Sequence, residues 1–166
     1  MREIIYPLSI IVAVDLQGGI SKNNKIPWYF PDDLKYFKEI TNNSTCIMGK
    51  NTFNEILEMK KTKDSELLPN RESIVLSKTD LTINSNCATI AQSLREATYK
   101  FTKNKIFIIG GEKLFIEALP NVNEIYMTII NNKFKCDKFF RIDYLKNFKV
   151  ELISKMNHGI NVRYYR

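Results

Sequence analysis

Short stretches that are apolar at every or nearly every residue are the feature that most restricts the fold of this chain. Residues 106–109 read IFII and residues 8–14 read LSIIVAV, without the polar/apolar alternation of a half-exposed strand. Strands of this kind are typical of a parallel sheet that helices cover on both faces. Helical patterns lie between these stretches, as an α/β fold requires. We therefore expect a predominantly parallel, mixed and twisted sheet of about eight strands, flanked by helices.

The order of elements follows from the same periodicities. The predicted strands are 8–14, 45–48, 73–77, 87–90, 106–109 and 125–130, and the predicted helices are 32–41, 51–60, 92–100 and 112–119. Residues 148–153 and 160–165 are expected to form a closing antiparallel hairpin around the turn Asn157-His158-Gly159. The Lys-rich segment 60–64 is interpreted as a solvated loop. No repeat or linker divides the 166 residues, so one domain spanning 1–166 is expected.

Scarce residue types exclude several kinds of site. His158 is the only histidine, and the cysteines Cys46, Cys87 and Cys136 lie far apart without metal-ligand spacing. A Ser-His-Asp triad, a zinc site and a disulfide framework are therefore not indicated. The apolar stretch near the N-terminus is too short to span a membrane and lacks the pattern of a signal peptide. We expect a cytoplasmic protein with no membrane partner.

The charge balance favours small or large anions as partners. The chain has 25 Lys and Arg against 18 Asp and Glu, a net charge of +7. Nucleic acid, anionic lipid and small molecules with phosphates or carboxylates all fit this balance. The charge alone does not choose among them.

A carboxylate on an apolar helix face is the first candidate site. Pro31 is placed to open a helix, and Asp33, Phe37 and Ile40 share one of its faces. A carboxylate buried there needs a hydrogen-bond donor as partner. Asp32 is interpreted as a residue that only complements the helix N-terminus, and that reading stays open for Asp33.

Two strand-to-helix turns contain glycine and are candidate phosphate sites. Gly49-Lys50-Asn51-Thr52 follows one predicted strand, and Gly110-Gly111 follows another. Free N–H groups at a helix start attract phosphate, although capping by Asn51 or Thr52 is the simpler structural role. Neither turn has the spacing of an ordinary P-loop or of a G-x-G-x-x-G fingerprint. Two such turns in one domain favour a ligand with separated phosphates, such as a dinucleotide.

These motifs, taken in order, resemble those of the dihydrofolate reductase family. The resemblance rests on IVAV in the first strand, GI-x-KN, PW-x-x-P-x-DL, IMGK-x-T, LP-x-R, IGG and IYMT, and it extends over nearly the whole chain. It implies reduction of 7,8-dihydrofolate by NADPH, with dihydrofolate and antifolate inhibitors as small-molecule partners, no nucleic acid, and a monomer. It also implies a role in one-carbon metabolism and thymidylate synthesis.

The resemblance implies a substrate site around Asp33. Asp33 would accept hydrogen bonds from the pterin, Thr128 would support it, and Trp28 would help to hold a water near the carboxylate. Arg71, for which the sequence alone favours a solvated loop cation, would pair with the glutamate α-carboxylate of the substrate. The residues implied to line the pterin and benzoyl pockets are Ile11, Val12, Ala13, Leu34, Phe37, Ile56, Leu68 and Ile109.

The cofactor site is implied in the same way. The residues implied to bind NADPH are Ala13, Ile20, Gly49, Lys50, Thr52, Ser77, Lys78, Ile109, Gly110, Gly111, Glu112, Lys113, Leu114 and Phe115. Residues 16–26 correspond to a mobile loop that closes over the nicotinamide. Ser21 stands where the family usually has Gly, and Phe115 replaces a common Tyr. Glu112 places a negative charge beside the second phosphate-binding turn.

Two other functions remain as alternatives. A related pterin or pyrimidine reductase would use the same fold, but Arg71 and the apolar benzoyl walls favour a folate. A nucleotide- or RNA-binding module would need exposed aromatic side chains between cations, a pattern that Tyr164 and Tyr165 with Arg163 and Arg166 could supply.

Overall fold

The fully apolar stretches become the central strands of an eight-stranded sheet. The computed structural model describes residues 7–59, 67–79, 88–100 and 105–166. These residues form the strands β1 (Leu8–Val14), β2 (Gly19–Ser21), β3 (Thr45–Gly49), β4 (Glu72–Leu76), β5 (Thr89–Ala91), β6 (Ile106–Ile108), β7 (Val122–Ile130), β8 (Lys138–Phe139), β9 (Lys149–Met156) and β10 (Gly159–Tyr165). The α-helices are α1 (Pro31–Thr41), α2 (Lys50–Met59), α3 (Leu94–Lys100) and α4 (Glu112–Ala118), and residues 119–121 and 142–147 form two 3₁₀ helices.

The strand order is β5-β4-β3-β6-β1-β7-β10-β9, and β2 pairs with β8 in a separate two-stranded sheet. The parallel strands of the large sheet are, in spatial order, β5, β4, β3, β6, β1 and β7. Strand β10 is antiparallel to both β7 and β9. This arrangement confirms the predicted α/β domain with a largely parallel sheet and a C-terminal antiparallel hairpin. The turn at Asn157 and His158 joins the hairpin strands.

A helical layer covers each face of the sheet. Side chains of α1 and α2 pack with Ile11 and Phe107 on one face, in a cluster that includes Phe37 and Phe53. Side chains of α3 and α4 pack on the other face, in the larger cluster built around β1 and β7. The apolar strands of the centre are therefore buried on both sides, which is the physical reason for their composition.

Some element boundaries differ from the predicted ones for local reasons. Helix α3 begins two residues later than predicted because Ser93 accepts a hydrogen bond from the N–H of Glu96, while Glu96 accepts one from the N–H of Gln92. This pair resembles a capping box, except that Glu96 accepts from the N–H of the residue before Ser93. Strand β7 begins earlier because Val122 and the polar Glu124 continue the ladder with β1, and Glu124 also pairs with β10. The short strands β2 and β8 were not predicted, since neither carries a readable alternation.

Parts of three predicted elements lie outside the described residues: the loop 60–64, the end of the helix 51–60 and the start of the strand 87–90. Within the described ranges, none of the helices combines the length and apolarity that a membrane span requires.

Candidate active site

The candidate site lies at the carboxyl edge of the parallel strands. Strands β3, β6, β1 and β7 are adjacent and parallel, so their carboxyl ends meet at one edge of the sheet. Helix α2 begins directly after β3, and α4 begins shortly after β6. In open α/β sheets, ligands bind in the crevice outside this edge. The two glycine turns, although far apart along the chain, meet here, whereas Arg71 directly precedes β4 and lies toward the amino ends of the strands.

Asp33 is the carboxylate that the first helix turns toward the sheet. Phe30 is the N-cap and Pro31 opens the helix, and the N–H of Asp33 donates to the Phe30 carbonyl oxygen at 3.0 Å. Asp33 is half-buried, whereas its neighbour Asp32 is exposed. Burial raises the pKa of the Asp33 carboxyl above its usual range, and a hydrogen bond with the Thr128 side chain and the charge of His158 oppose this rise. The arrangement is a buried acid with a built-in donor.

Thr128 and Trp28, the two residues expected to assist this carboxylate, are held in place by different contacts. Thr128 is buried in β7, and its Oγ1 accepts a hydrogen bond from Nδ2 of Asn161 at 2.8 Å. Trp28 is half-buried and packs its ring 5.1 Å from that of Phe134. Neither Asn161 nor Phe134 was singled out from the sequence.

The apolar residues implied to line the substrate pocket divide between the two faces of the sheet. Ile11 and Leu68 are buried in the cluster on the α1/α2 face. Phe37, Ile56 and Ile109 pack against that cluster, Ala13 is half-buried, and Leu34 is exposed. Val12 instead packs in the cluster on the opposite face. Its side chain therefore points away from the α1/α2 face, and only its backbone is available to a ligand there.

Arg71 is a buried cation held by neutral groups. It is 8% exposed, and it donates from Nε to the Pro69 carbonyl oxygen at 3.1 Å and from Nη1 to Thr41 Oγ1 at 3.1 Å. Its guanidinium lies 5.6 Å from the centre of the Phe37 ring. Burial lowers the pKa of Arg71, and no carboxylate among the described residues forms an ion pair with it. A buried guanidinium without an anion is a site that an anionic ligand stabilises.

The two glycine-containing turns contact each other. The N–H of Gly49 donates to the Gly110 carbonyl oxygen at 2.8 Å, and the Gly110–Gly111 peptide is cis. Gly110 has a φ of +121°, which a residue with a side chain rarely adopts. Added Cβ atoms at Gly49 and Gly111 would meet no heavy atom closer than 3.7 and 3.8 Å. The chain itself leaves this space open, as a cradle for a ligand backbone or phosphate would.

The other residues implied for the cofactor surround these turns. Lys50, Lys78 and Lys113 are exposed, Thr52 and Ser77 are half-buried, and Ile20, Leu114 and Phe115 are buried. Thr52 Oγ1 lies beside Gly110 and Gly111. The Glu112 carboxylate accepts a hydrogen bond from the N–H of Phe139 at 2.8 Å. This bond ties Glu112 to β8, so its charge has a donor partner within the chain.

The segment 16–26 is anchored by Asp15, which sequence reasoning missed. Asp15 is 1% exposed, and its carboxylate accepts hydrogen bonds from the N–H groups of Gln17 and Gly19, both at 2.8 Å, and of Phe134 at 3.0 Å. These bonds lower the pKa of Asp15 despite its burial, which acts to raise it. Its place directly after a buried strand, at the carboxyl edge, was the available signal. Farther along, the N–H of Ile26 donates to Glu55 of α2 at 2.7 Å.

Fold and site together define an α/β enzyme with a nucleotide-compatible cradle beside a half-buried carboxylate. The family model for dihydrofolate reductase matches residues 7–163. The dihydrofolate reductase of Ureaplasma parvum serovar 3 is 33% identical over 158 residues, covering 95% of this chain and 96% of the relative. That of Staphylococcus aureus is 38% identical over 133 residues, 80% of this chain and 77% of the relative.

A solved structure agrees with these relatives. The dihydrofolate reductase from Enterococcus faecalis, complexed with NADP(H) and RAB-propyl, superposes with a TM-score of 0.75 at 28% identity, and 96% of each chain is covered. The chain belongs to the dihydrofolate reductase family and is an NADPH-dependent oxidoreductase.

Proposed function

We propose that this protein reduces 7,8-dihydrofolate to 5,6,7,8-tetrahydrofolate, with a hydride delivered to pterin C6 and a proton to N5. The observation that carries the proposal is the pair of opposite charges at the substrate side of the site. Asp33 is a half-buried anion with a donor behind it, and Arg71 is a buried cation without an anion. A folate has a donor-rich pterin at one end and a carboxylate at the other, so it satisfies both groups.

The apolar surface between these two residues supports a folate over a smaller pterin. Ile11 and Leu68 are buried on this face, and Phe37 and Ile56 pack against them. The benzoyl group of a folate is apolar and lies between its pterin and its glutamate. A pterin or pyrimidine without a glutamate would leave Arg71 unpaired. We therefore assign the catalytic and substrate-binding roles given above to Asp33, Trp28, Thr128 and Arg71.

The cradle at the two glycine turns fits a dinucleotide phosphate chain. Gly49 and Gly111 leave the space that close backbone approach requires. Lys50 at the start of α2 and Lys78 after β4 would neutralise phosphate charge, and Ser77 and Thr52 would add hydroxyl groups. When bound, NADPH supplies the hydride; the chain orients the substrate and keeps water from the reacting atoms.

The proton at N5 is the step in which the side chains matter most. Asp33 is placed to accept hydrogen bonds from the amidine-like edge of the pterin, so it does not itself reach N5. Its negative charge raises the basicity of the bound pterin, and a water delivers the proton, with Trp28 helping to hold a water near the carboxylate. The proposal includes a monomer in the cytoplasm that supplies one-carbon metabolism and binds antifolates at the same site.

The structure gives less support to the nucleic-acid alternative. Arg163 pairs with Glu124 at 2.8 Å and with Glu151 at 3.0 Å, and Arg166 donates to backbone carbonyl oxygens. These cations are engaged within the chain rather than presented to phosphates. Tyr164 and Tyr165 are half-buried in β10.

The test is the absorbance loss of NADPH with dihydrofolate in the parent and in Asp33→Asn. The turnover number of the variant is expected to be about 10²–10⁴-fold lower at neutral pH, which is the usual contribution of acid–base assistance. Acidic buffer is expected to restore part of the activity, because the substrate is then protonated without help from the carboxylate. Asp32→Asn is the matched control, since Asp32 is the exposed neighbour on the same helix turn. A fully active Asp33→Asn variant would refute the role.

A further inference from the structure

The Asn161 amide is completely buried, and the packing of β10 does not explain why a polar residue occupies this position. It is 0% exposed, whereas its neighbour Val162 packs in the large cluster on the opposite face of the sheet. Asn161 pairs in register with Thr128 of β7, and directly opposed residues of adjacent strands share a face. An apolar residue would fill the same volume without the cost of burying an amide. The amide must therefore be matched by its hydrogen bonds.

Those hydrogen bonds have a defined direction. Ser154 of β9 donates from Oγ to Asn161 Oδ1 at 2.8 Å, and Asn161 donates from Nδ2 to Thr128 Oγ1 at 2.8 Å. A hydroxyl has one proton to give, and Thr128 receives one hydrogen bond without using it. The Thr128 proton is thus left free for the Asp33 carboxylate, whose pKa the Thr128 side chain lowers. An amide turned the other way would present Oδ1 and take that proton.

The hairpin that carries Asn161 is fixed against β7. A Cβ at Gly159 would lie 2.0 Å from the Ile129 carbonyl oxygen, so only glycine permits this approach. The His158 carbonyl oxygen accepts from the N–H of Asn131 at 2.7 Å, and the His158 ring stacks on Phe30 at 4.5 Å. The position of Asn161 relative to Thr128 is therefore set by backbone contacts on both sides of the turn.

We propose that Asn161 is a positioning residue for the substrate-binding carboxylate: its amide, oriented by Ser154, directs the Thr128 proton to Asp33 and keeps Asp33 in its anionic, pterin-binding form. The inference deepens the proposed function and rests on it for its catalytic consequence. Donors in a chain strengthen one another, so the whole row from Ser154 to Asp33 favours the anion.

The row of hydrogen-bonding groups from Ser154 to Asp33 matters because burial disfavours the ionised form of the Asp33 carboxyl. Burial raises the pKa of Asp33, while Thr128 and His158 lower it. Tyr36, on the same helix, also interacts electrostatically with Asp33, and burial is the main cause that raises the pKa of Tyr36 to about 12. Tyr36 is therefore neutral at physiological pH. If the hydrogen bond from Thr128 were lost, His158 would remain to lower the pKa of Asp33 against the effect of burial.

The experiment compares Asn161→Leu, Asn161→Asp and Ser154→Ala with the parent. The pH dependence of kcat/KM for dihydrofolate is measured together with the Kd for NADPH. Asn161→Leu is expected to lower kcat/KM at pH 7.5 by about 5–10-fold, the effect of one lost hydrogen bond, and to move the acidic limb of the profile to higher pH. Asn161→Asp is expected to lower kcat/KM further, because its carboxylate competes with Asp33 for the Thr128 proton. The Kd for NADPH is expected to change less than about twofold, since only the substrate side is affected.

Val162→Ala is the control for a merely structural effect. It weakens β10 from the other face without touching the row of donors. A shift of its pH profile equal to that of Asn161→Leu would overturn the proposal. If Asn161→Leu does not fold, Ser154→Ala decides, with a smaller shift in the same direction expected.

A second readout separates this inference from the proposed function. The Asp33 carboxyl is titrated by carbon NMR in the ligand-free protein, with the signal assigned by its loss in Asp33→Asn. A higher midpoint in Asn161→Leu and Ser154→Ala supports the inference even if the parent does not reduce dihydrofolate. An unchanged midpoint in both overturns it, whatever the activity of the parent.

Discussion

At the scale of single residues, the candidate site contains buried charged groups for which the described residues supply no ion-pair partner. Arg71 is the clearest example, because its hydrogen bonds go to a carbonyl oxygen and to a hydroxyl. From the sequence alone, a solvated loop cation was the favoured interpretation of this residue. Its burial decides against the solvated alternative and favours a carboxylate ligand.

Arg71→Leu is therefore expected to raise the KM for dihydrofolate by about 10–100-fold, the cost of hydrogen bonds to a charged partner, with little change in kcat. The reacting carbon lies far from the glutamate, so the loss is one of binding. Steady-state kinetics with dihydrofolate and with dihydropteroate, which lacks the glutamate, are the measurement. The variant and the parent are expected to handle dihydropteroate alike. Arg95→Leu, at an exposed arginine of α3, is the matched control. An unchanged KM for dihydrofolate would contradict the assignment.

At the scale of elements, Asp15 joins segments that no local pattern connects. It begins the turn after β1, and its carboxylate also accepts a hydrogen bond from the N–H of Phe134, 119 residues later and shortly before β8. The small sheet of β2 and β8 is built on these contacts, together with the close packing of Gly19 against Cys136. The segment 16–26 therefore has a rigid base at Asp15, whatever its motion farther along.

Asp15→Asn is expected to lower the free energy of unfolding by about 1–3 kcal/mol at pH 7, because an amide nitrogen cannot accept the N–H that a carboxylate oxygen accepts. The pKa of Asp15 is lower in the folded state, so its stabilisation is present above the unfolded pKa of about 3.9 and is lost as the pH falls through the folded value. The gap between variant and parent should narrow in acid. Urea unfolding at several pH values measures it.

Asp137→Asn is the matched control for this prediction, since the exposed Asp137 accepts a single hydrogen bond, from the N–H of Asn23 at 2.9 Å. A gap for Asp15→Asn that stays constant as the pH falls from 7 to below 3 would contradict the assigned cause.

At the scale of the whole molecule, the sequence predicted the layers and the edge of the sheet where the site lies, because uniformly apolar strands and glycine turns are local signals. It could not predict which side chain of a strand buried on both faces points to the ligand. Ile11 and Val12 look equivalent in the sequence, yet they pack on opposite faces. Contacts between distant segments, such as Asn161 with Thr128 and His158 with Phe30, leave no periodic trace and were missed.

One of the cations that contribute to the net charge of +7 lies beside the glycine turns. Lys50 is exposed at the start of α2, whose first turn has no acidic residue, beside the cradle formed by the glycine turns. The N-terminal end of a helix attracts phosphate, and a lysine there adds to the attraction. We therefore propose that Lys50 contributes to distinguishing NADPH from NADH, which lacks the 2′-phosphate.

Lys50→Ala is expected to raise the KM for NADPH by about 10-fold or more, the effect of losing one charge-assisted hydrogen bond, and the KM for NADH by less than about twofold. The loss for NADPH should shrink as ionic strength rises, because salt screens an exposed charge. Lys149→Ala removes the same charge from the exposed edge strand β9 and controls for the global field. Kinetics with both cofactors at low and high salt separate the two effects. Equal losses for NADPH and NADH would show that Lys50 supports the helix start and does not recognise the 2′-phosphate.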